Sequence, residues 1–252
     1  MTEFEMDLFA RLCEEDRIMR PYDGESIGTY NEKRIHRILK RLVCDDASCY
    51  EKKVGRYVAD VLSDGHVSEI QTSSFRPLQA KIEYYLSQTE LSVTVLRPVI
   101  CEKTVIRMDK ETGEIISQKR SPKHERDTDV LYDLYYLSPF LGNPRFSISL
   151  LHITAEEYRF SERVRYRRSG AFDNDLRPVS LLGCTEISSV RDVMSILPEE
   201  LTKKAFTSAD FAASTRLRGR RLSMALSLLI GLGVLSREKN GRQYIYSVNG
   251  NV

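Results

Sequence analysis

Asp60 and Glu69 are the residues whose types and spacing bear most directly on chemistry. Between them lies Asp64-Gly65, a dipeptide suited to a two-residue hairpin turn because both turn positions need positive φ. With that loop, Ser63 faces His66, Leu62 faces Val67 and Asp60 falls opposite Glu69, so both carboxylates leave one face of the sheet. The pair is a non-hydrogen-bonded one, with Cβ atoms roughly 4.5–5.5 Å apart. Like charges so placed destabilise a hairpin unless a proton, a basic side chain or a metal ion lies between them. Gln71, two residues beyond Glu69, projects from the same face. Such a set suits the holding of a hard cation by carboxylate oxygen. The structural account is a solvated face, or neutralisation by Lys81 or an arginine.

The elements that must position this set are readable from periodicity. An N-terminal helical segment occupies 1–24, with Phe4, Leu8, Phe9 and Leu12 at helical spacing. A firmer helix over about 30–43 carries Ile35, Ile38, Leu39 and Leu42 on one stripe. Glu32 shares that core-facing stripe and so points toward whatever sheet the helix covers. Thr29-Tyr30-Asn31-Glu32 equally fits a capping box, in which Glu32 merely closes the helix start. The hairpin strands follow at about 54–62 and 67–72. Phe75-Arg76-Pro77 opens a helix with Leu78, Ile82, Tyr85 and Leu86 inward and Lys81 among its charged residues. A buried strand at 91–100 comes next, then a second hairpin around Lys110-Glu111-Thr112-Gly113, a helix at about 128–137 and a strand at 146–154. The expected architecture is one mixed α/β domain over 25–160, a sheet flanked by helices.

Composition bounds the functional class. The chain has 252 residues, 41% hydrophobic and 29% charged, which gives room for two domains with cores of their own. No stretch is long and apolar enough to cross a bilayer, and the N-terminus lacks a signal-peptide pattern, so a cytoplasmic protein without a membrane partner is expected. The five cysteines are odd in number and lack a C-x-x-C, and His36, His66, His124 and His152 show no metal-ligand spacing. No nucleotide-binding glycine loop or serine-hydrolase elbow is present.

A helix bearing Glu, a hairpin bearing Asp and then Glu-x-Gln, and a following helix resemble the PD-(D/E)XK superfamily of restriction-endonuclease-like nucleases. The segments Gly28-Thr29-Tyr30-Asn31-Glu32, Val58-Ala59-Asp60 and Glu69-Ile70-Gln71-Thr72 also resemble an uncharacterised bacterial family. The likeness covers about 26–155. It implies a restriction-endonuclease-like α/β fold and phosphodiester hydrolysis with Mg²⁺ or Mn²⁺. It further implies that Asp60, Glu69 and the Ile70 carbonyl hold the metal, with Glu32 in support. Its last motif letter is ordinarily lysine, and here it is Gln71. Glutamine positions a water but brings no positive charge. Lys81 on the next helix could supply that charge, and its ordinary role is a surface lysine. A nuclease fold that binds DNA without cutting it is the alternative.

Charge singles out the C-terminus. Residues 200–252 hold nine Lys/Arg against three acids, a net of +6, which leaves 1–199 at −4 given the overall +2. After a basic connector at 161–186, residues 187–252 follow the order of a winged helix-turn-helix: helix, short helix begun by Thr207-Ser-Ala-Asp210, turn, longer helix, and a hairpin signalled by Asn240-Gly241. In such a module the longer helix enters the DNA groove by its N-terminal end. Arg216, Arg218, Arg220, Arg221 and Ser223 lie there, and Arg237, Lys239 and Arg242 lie on the wing. Arginine's donor fork suits phosphate and guanine alike, which makes DNA the expected partner. A winged helix that binds protein is the rival. A homodimer would suit two-strand cutting and palindromic recognition.

Overall fold

A computed structural model describes residues 2–19, 30–109, 112–161 and 173–249. The chain begins with α1 (Glu3–Met19) and α2 (Tyr30–Val43), then β1 (Tyr50–Val54), β2 (Tyr57–Ser63), β3 (His66–Ile70) and α3 (Gln79–Gln88). There follow β4 (Ser92–Asp109), β5 (Ile115–Arg120), α4 (Leu131–Leu137), β6 (Phe146–Ser161) and β7 (Asp173–Ile187). The remainder is α5 (Val190–Ser195), α6 (Glu199–Thr202), β8 (Phe206–Thr207), α7 (Ser208–Thr215), α8 (Gly219–Gly231), β9 (Leu235–Asn240) and β10 (Gln243–Val248).

Strands β1 to β7 form one mixed sheet in the order β1-β2-β3-β4-β6-β7, with β5 paired to β4. The first three strands are antiparallel, β4 runs parallel to both β3 and β6, and β7 returns antiparallel to β6. Helices cover both faces because neighbouring strand residues point to opposite sides. Phe9, Leu12, Ile35, Ile38 and Leu39 of α1 and α2 pack on Ile70, Leu96, Leu151 and Ile153. Ile82, Tyr85, Leu131 and Leu134 of α3 and α4 pack on Val67, Val93, Val95 and Ile148. The chain is thus mixed α/β, a large sheet between helices. No helix among the described residues is long and apolar enough to cross a membrane.

The register around the first turn is the one its sequence dictates. Val61 pairs with Ser68, Leu62 with Val67 and Ser63 with His66, and Asp64 and Gly65 have φ of 50° and 75°. Beyond Val61 and Ser68 the two strands part, because Glu69 and Ile70 continue along β4, opposite Val95 and Leu96.

Three readings from sequence are corrected. The supposed connector at 161–186 contains a strand, β7, over Asp173–Ile187, so the sheet runs past residue 160. Arg163, Arg165, Arg167 and Arg168 lie outside the described residues. Pro178 and Gly183 disguise β7, but both sit at or beside shifts of register on an edge strand, where such residues are tolerated. The strand at 91–100 and the first arm of the second hairpin are one 18-residue strand, β4, bent by a register shift between Ile100 and Glu102. Lastly, Asn240 pairs with Gln243, so the C-terminal hairpin turns on Gly241-Arg242 rather than on Asn240-Gly241. Gly241, with φ of 60°, takes the first turn position, where glycine is favoured.

The C-terminal elements gather around Phe206, stacked on Phe211 and Tyr246, and carry a three-stranded antiparallel sheet in the order β8-β10-β9. Thr207 and Asp210 cap α7 reciprocally, as the sequence predicts, and Ser189 and Asp192 do the same for α5. α8 packs against α4, and Phe206, Phe211 and Tyr246 belong to the same apolar core as the main sheet.

Candidate functional site: a carboxylate pair where two strands part

Asp60 stands at the point where β2 leaves β3. The freed amide of Ile70 donates to Asp60 Oδ2 at 2.8 Å, so the carboxylate takes over a hydrogen bond that the ladder gives up. Glu69 lies on the α3 side of the sheet and is 1% exposed. The Lys81 ammonium donates to Glu69 Oε2 at 2.5 Å, and the Tyr85 hydroxyl reaches Oε1 at 3.4 Å. Burial raises the Glu69 carboxyl and outweighs the neighbouring Lys81 charge, and the Asp60 carboxylate adds to the rise, to about 7. The Asp60 charge thus reaches the Glu69 carboxyl across the place where the strands part.

The other predicted members are placed less directly. Gln71 turns back on its own loop, where its side-chain amide donates to Ser73 Oγ at 3.0 Å and to the Ser74 carbonyl at 2.7 Å. Its own carbonyl accepts from Arg97 at 3.4 Å. The Ile70 side chain is buried on the α2 side, and its amide is held by Asp60. Glu32 falls in the first turn of α2, and its side chain lies outside the described residues.

Among the described residues no three His, Cys, Asp or Glu side chains gather as a metal site. Carboxylate oxygen is the donor type that a hard cation takes. Asp60 Oδ1 has no hydrogen-bond partner among the described residues, and Glu69 Oε1 has only the long contact to Tyr85. Among the described residues, Asp60 Oδ1 is thus left for a ligand, and Glu69 Oε1 is held only at that longer distance.

The C-terminal basic residues divide into two groups. Arg218 and Arg220 are exposed at the start of α8, and Ser223 continues their side of the helix. Arg221 instead stacks on the Tyr132 ring of α4 at 4.7 Å, and Arg216 lies 3.3 Å from His124 Nε2. On the C-terminal hairpin Arg237 covers Tyr244 at 4.4 Å, while Lys239 and Arg242 are exposed.

One network escaped the sequence reading. His152 Nε2 lies 2.7 Å from Asp127 Oδ1, and the Thr185 hydroxyl donates to Asp127 Oδ2 at 2.7 Å. It ties the turn before α4 to β6 and β7, and nothing in residue spacing brings 127, 152 and 185 together.

A protein-family model described as a domain of unknown function (DUF8091) matches residues 33–188. It takes in Asp60, Glu69, Gln71 and Lys81, and ends just before α5. An uncharacterized protein of Treponema pallidum (strain Nichols) is 28% identical over 158 residues, covering 61% of this chain and 62% of the relative. The chain thus spans less than two thirds of that relative's length. No solved structure matches.

Proposed function

The chain belongs to the DUF8091 family, and we propose that it hydrolyses phosphodiester bonds in DNA with a divalent metal at Asp60 and Glu69. The observation that carries this reading is the pair itself: two carboxylates where β2 and β3 part, with the Asp60 charge helping to raise the Glu69 carboxyl and, among the described residues, no hydrogen bond to Asp60 Oδ1. The order α2, β1-β2-β3, α3, β4 supports it, being the helix, hairpin, helix and strand order of the PD-(D/E)XK resemblance.

Asp60, Glu69 and the Ile70 carbonyl would hold Mg²⁺ or Mn²⁺, which when bound neutralises phosphate charge and lowers the pKa of an attacking water. Lys81 supplies the fixed positive charge that Gln71 lacks, on a helix packed over the same face. Buried beside Glu69, that charge is worth more against a developing negative oxygen than it would be in water. The Gln71 side chain acts as a brace for the loop at Ser73 and Ser74.

We read the C-terminal elements as a winged helix-turn-helix that delivers this site to DNA. Its helices, short first strand and terminal hairpin have that order, and Arg218 and Arg220 stand free at the start of its longest helix. The hairpin tip, Arg242, is placed to meet flanking phosphate.

A non-catalytic DNA-binding protein is the second reading, favoured by one observation: Lys81 already satisfies Glu69 as an ion pair. Calorimetry with Mn²⁺, run beside a plasmid-cleavage assay, separates the two. Under the first reading the wild type binds metal and cleaves, and Asp60→Asn/Glu69→Gln loses both while still binding DNA. A wild type that binds DNA but neither takes metal nor cleaves would leave the second reading standing.

A further inference from the structure

A second charged site lies on the outer part of the sheet. A cavity of about 490 Å³ is lined by Lys103, Arg107, Lys119, Arg120, Lys123 and Arg159, with Glu157 as its acid. Strand pairing builds it. Val105 of β4 lies between Lys119 of β5 and Glu157 of β6, and Arg107 lies between Ser117 and Arg159. These residues share one face. Glu156 bonds Arg17 of α1, so Glu157, its neighbour along the strand, points to the side away from that helix.

The charges in the cavity do not balance. Glu157 is shared by Lys103 at 2.5 Å and Arg159 at 2.7 Å. Burial alone would raise its carboxyl, yet the bonds from Arg159 and Lys103 hold it below the usual range, so it is an anion already spent on two cations. Arg120 turns to Glu102 at 2.7 Å. Arg107, Lys119 and Lys123 have no carboxylate partner among the described residues. Arg107 and Arg159 also sit directly opposite one another on adjacent strands, where like charges are destabilising. An anion between them removes that cost, and guanidinium forks match phosphate oxygens in pairs.

We propose that this cavity binds phosphate, and that the phosphates belong to the backbone of the nucleic acid held by the C-terminal elements. The second half follows from a continuous path: Lys123 on the cavity rim precedes His124, and His124 Nε2 is 3.3 Å from Arg216, at the turn into α8. This source of phosphate rests on the DNA reading above, whereas the phosphate chemistry of the cavity does not. The cavity is also remote from the carboxylate pair. From Val95, beside Glu69, to Arg107 is twelve residues of strand, about 40 Å at the rise of an extended chain.

The test compares wild type with Arg107→Gln/Lys119→Gln, which leaves both partners of Glu157 in place and alters two exposed side chains. Fluorescence anisotropy with a labelled DNA duplex is measured across a salt series, and calorimetry is run with inorganic tripolyphosphate. The expected result is a duplex affinity reduced about tenfold, with the slope of log affinity on log salt shallower by about two, and recovery of both in Arg107→Lys/Lys119→Arg. Binding of tripolyphosphate, but not duplex, that the Gln variant loses would uphold the phosphate site and overturn nucleic acid as its source. Duplex binding unchanged by the Gln variant would overturn the cavity's role while leaving the proposed function intact. Absence of binding to both probes by wild type would overturn the inference entirely.

Discussion

Lys81 and Glu69 set the chemistry at the scale of single residues. Burial pushes the Glu69 carboxyl up, a close cation holds part of that rise back, and here the cation arrives from a helix twelve positions along the chain. The pair is expected to behave as a unit. Lys81→Met leaves Glu69 buried without its counter-charge and is predicted to destabilise the fold by roughly 3–5 kcal/mol in urea unfolding. Adding Glu69→Gln should restore most of that loss, because a neutral amide in the same place has no charge to bury. Equal instability of the single and double variants would mean that the lysine acts through packing rather than charge. The Asp64-Gly65 turn made the register legible as far as Val61 and Ser68, but the strands part before Asp60 can pair with Glu69, which lies opposite Val95 of β4 instead. The sequence named a solvated face, Lys81 or an arginine as the structural account of the pair, and Lys81 is found 2.5 Å from Glu69 Oε2. The turning of Gln71 toward Ser73 and Ser74 was not legible, since loop geometry after a strand end follows from tertiary packing.

At the scale of elements, α8 shows how a helix read as one surface is divided by its neighbours. Its N-terminal arginines look equivalent in sequence, and α4 makes them unequal by placing the Tyr132 ring under Arg221. Arg218 and Arg220 remain open to a partner. Arg220→Ala is accordingly predicted to weaken duplex binding, by several-fold in a filter-binding assay. Arg221→Ala should instead lower stability by about 0.5–1 kcal/mol, the worth of a partly exposed cation–π contact, with the smaller effect on affinity. The reverse order of effects would show that Arg221 leaves Tyr132 to meet DNA. Strands were legible where turns punctuate them, as at β2 and β3. They were not where a bulge interrupts the pattern: the edge strand β7 hides behind Pro178 and Gly183, and β4 looks like two elements because its register shifts near Ile100. The sequence could not supply the pairing of β4 with β6, and with it the basic cavity. Lys119 and Lys123 lie close together in sequence, but Arg107 and Arg159 become neighbours only across two parallel strands.

The whole molecule joins a sheet carrying two charged sites to a basic C-terminal unit, and the family match ends at residue 188, just before that unit begins. A boundary of this kind suggests two parts assembled end to end. The packing crosses it, however: Leu131 and Leu134 of α4 belong to the same apolar cluster as Leu226 and Leu229 of α8. Two halves that share one core cannot melt independently without exposing that surface to water. Heating should therefore give a single cooperative transition in differential scanning calorimetry, with calorimetric and van't Hoff enthalpies in agreement. Two separated peaks would show that the shared surface is too weak to couple the parts. Cooperativity also bears on inheritance: a C-terminal unit exchanged for another would have to bring a helix that fits α4, so the two parts are free to vary in their surfaces but bound to each other through their interiors.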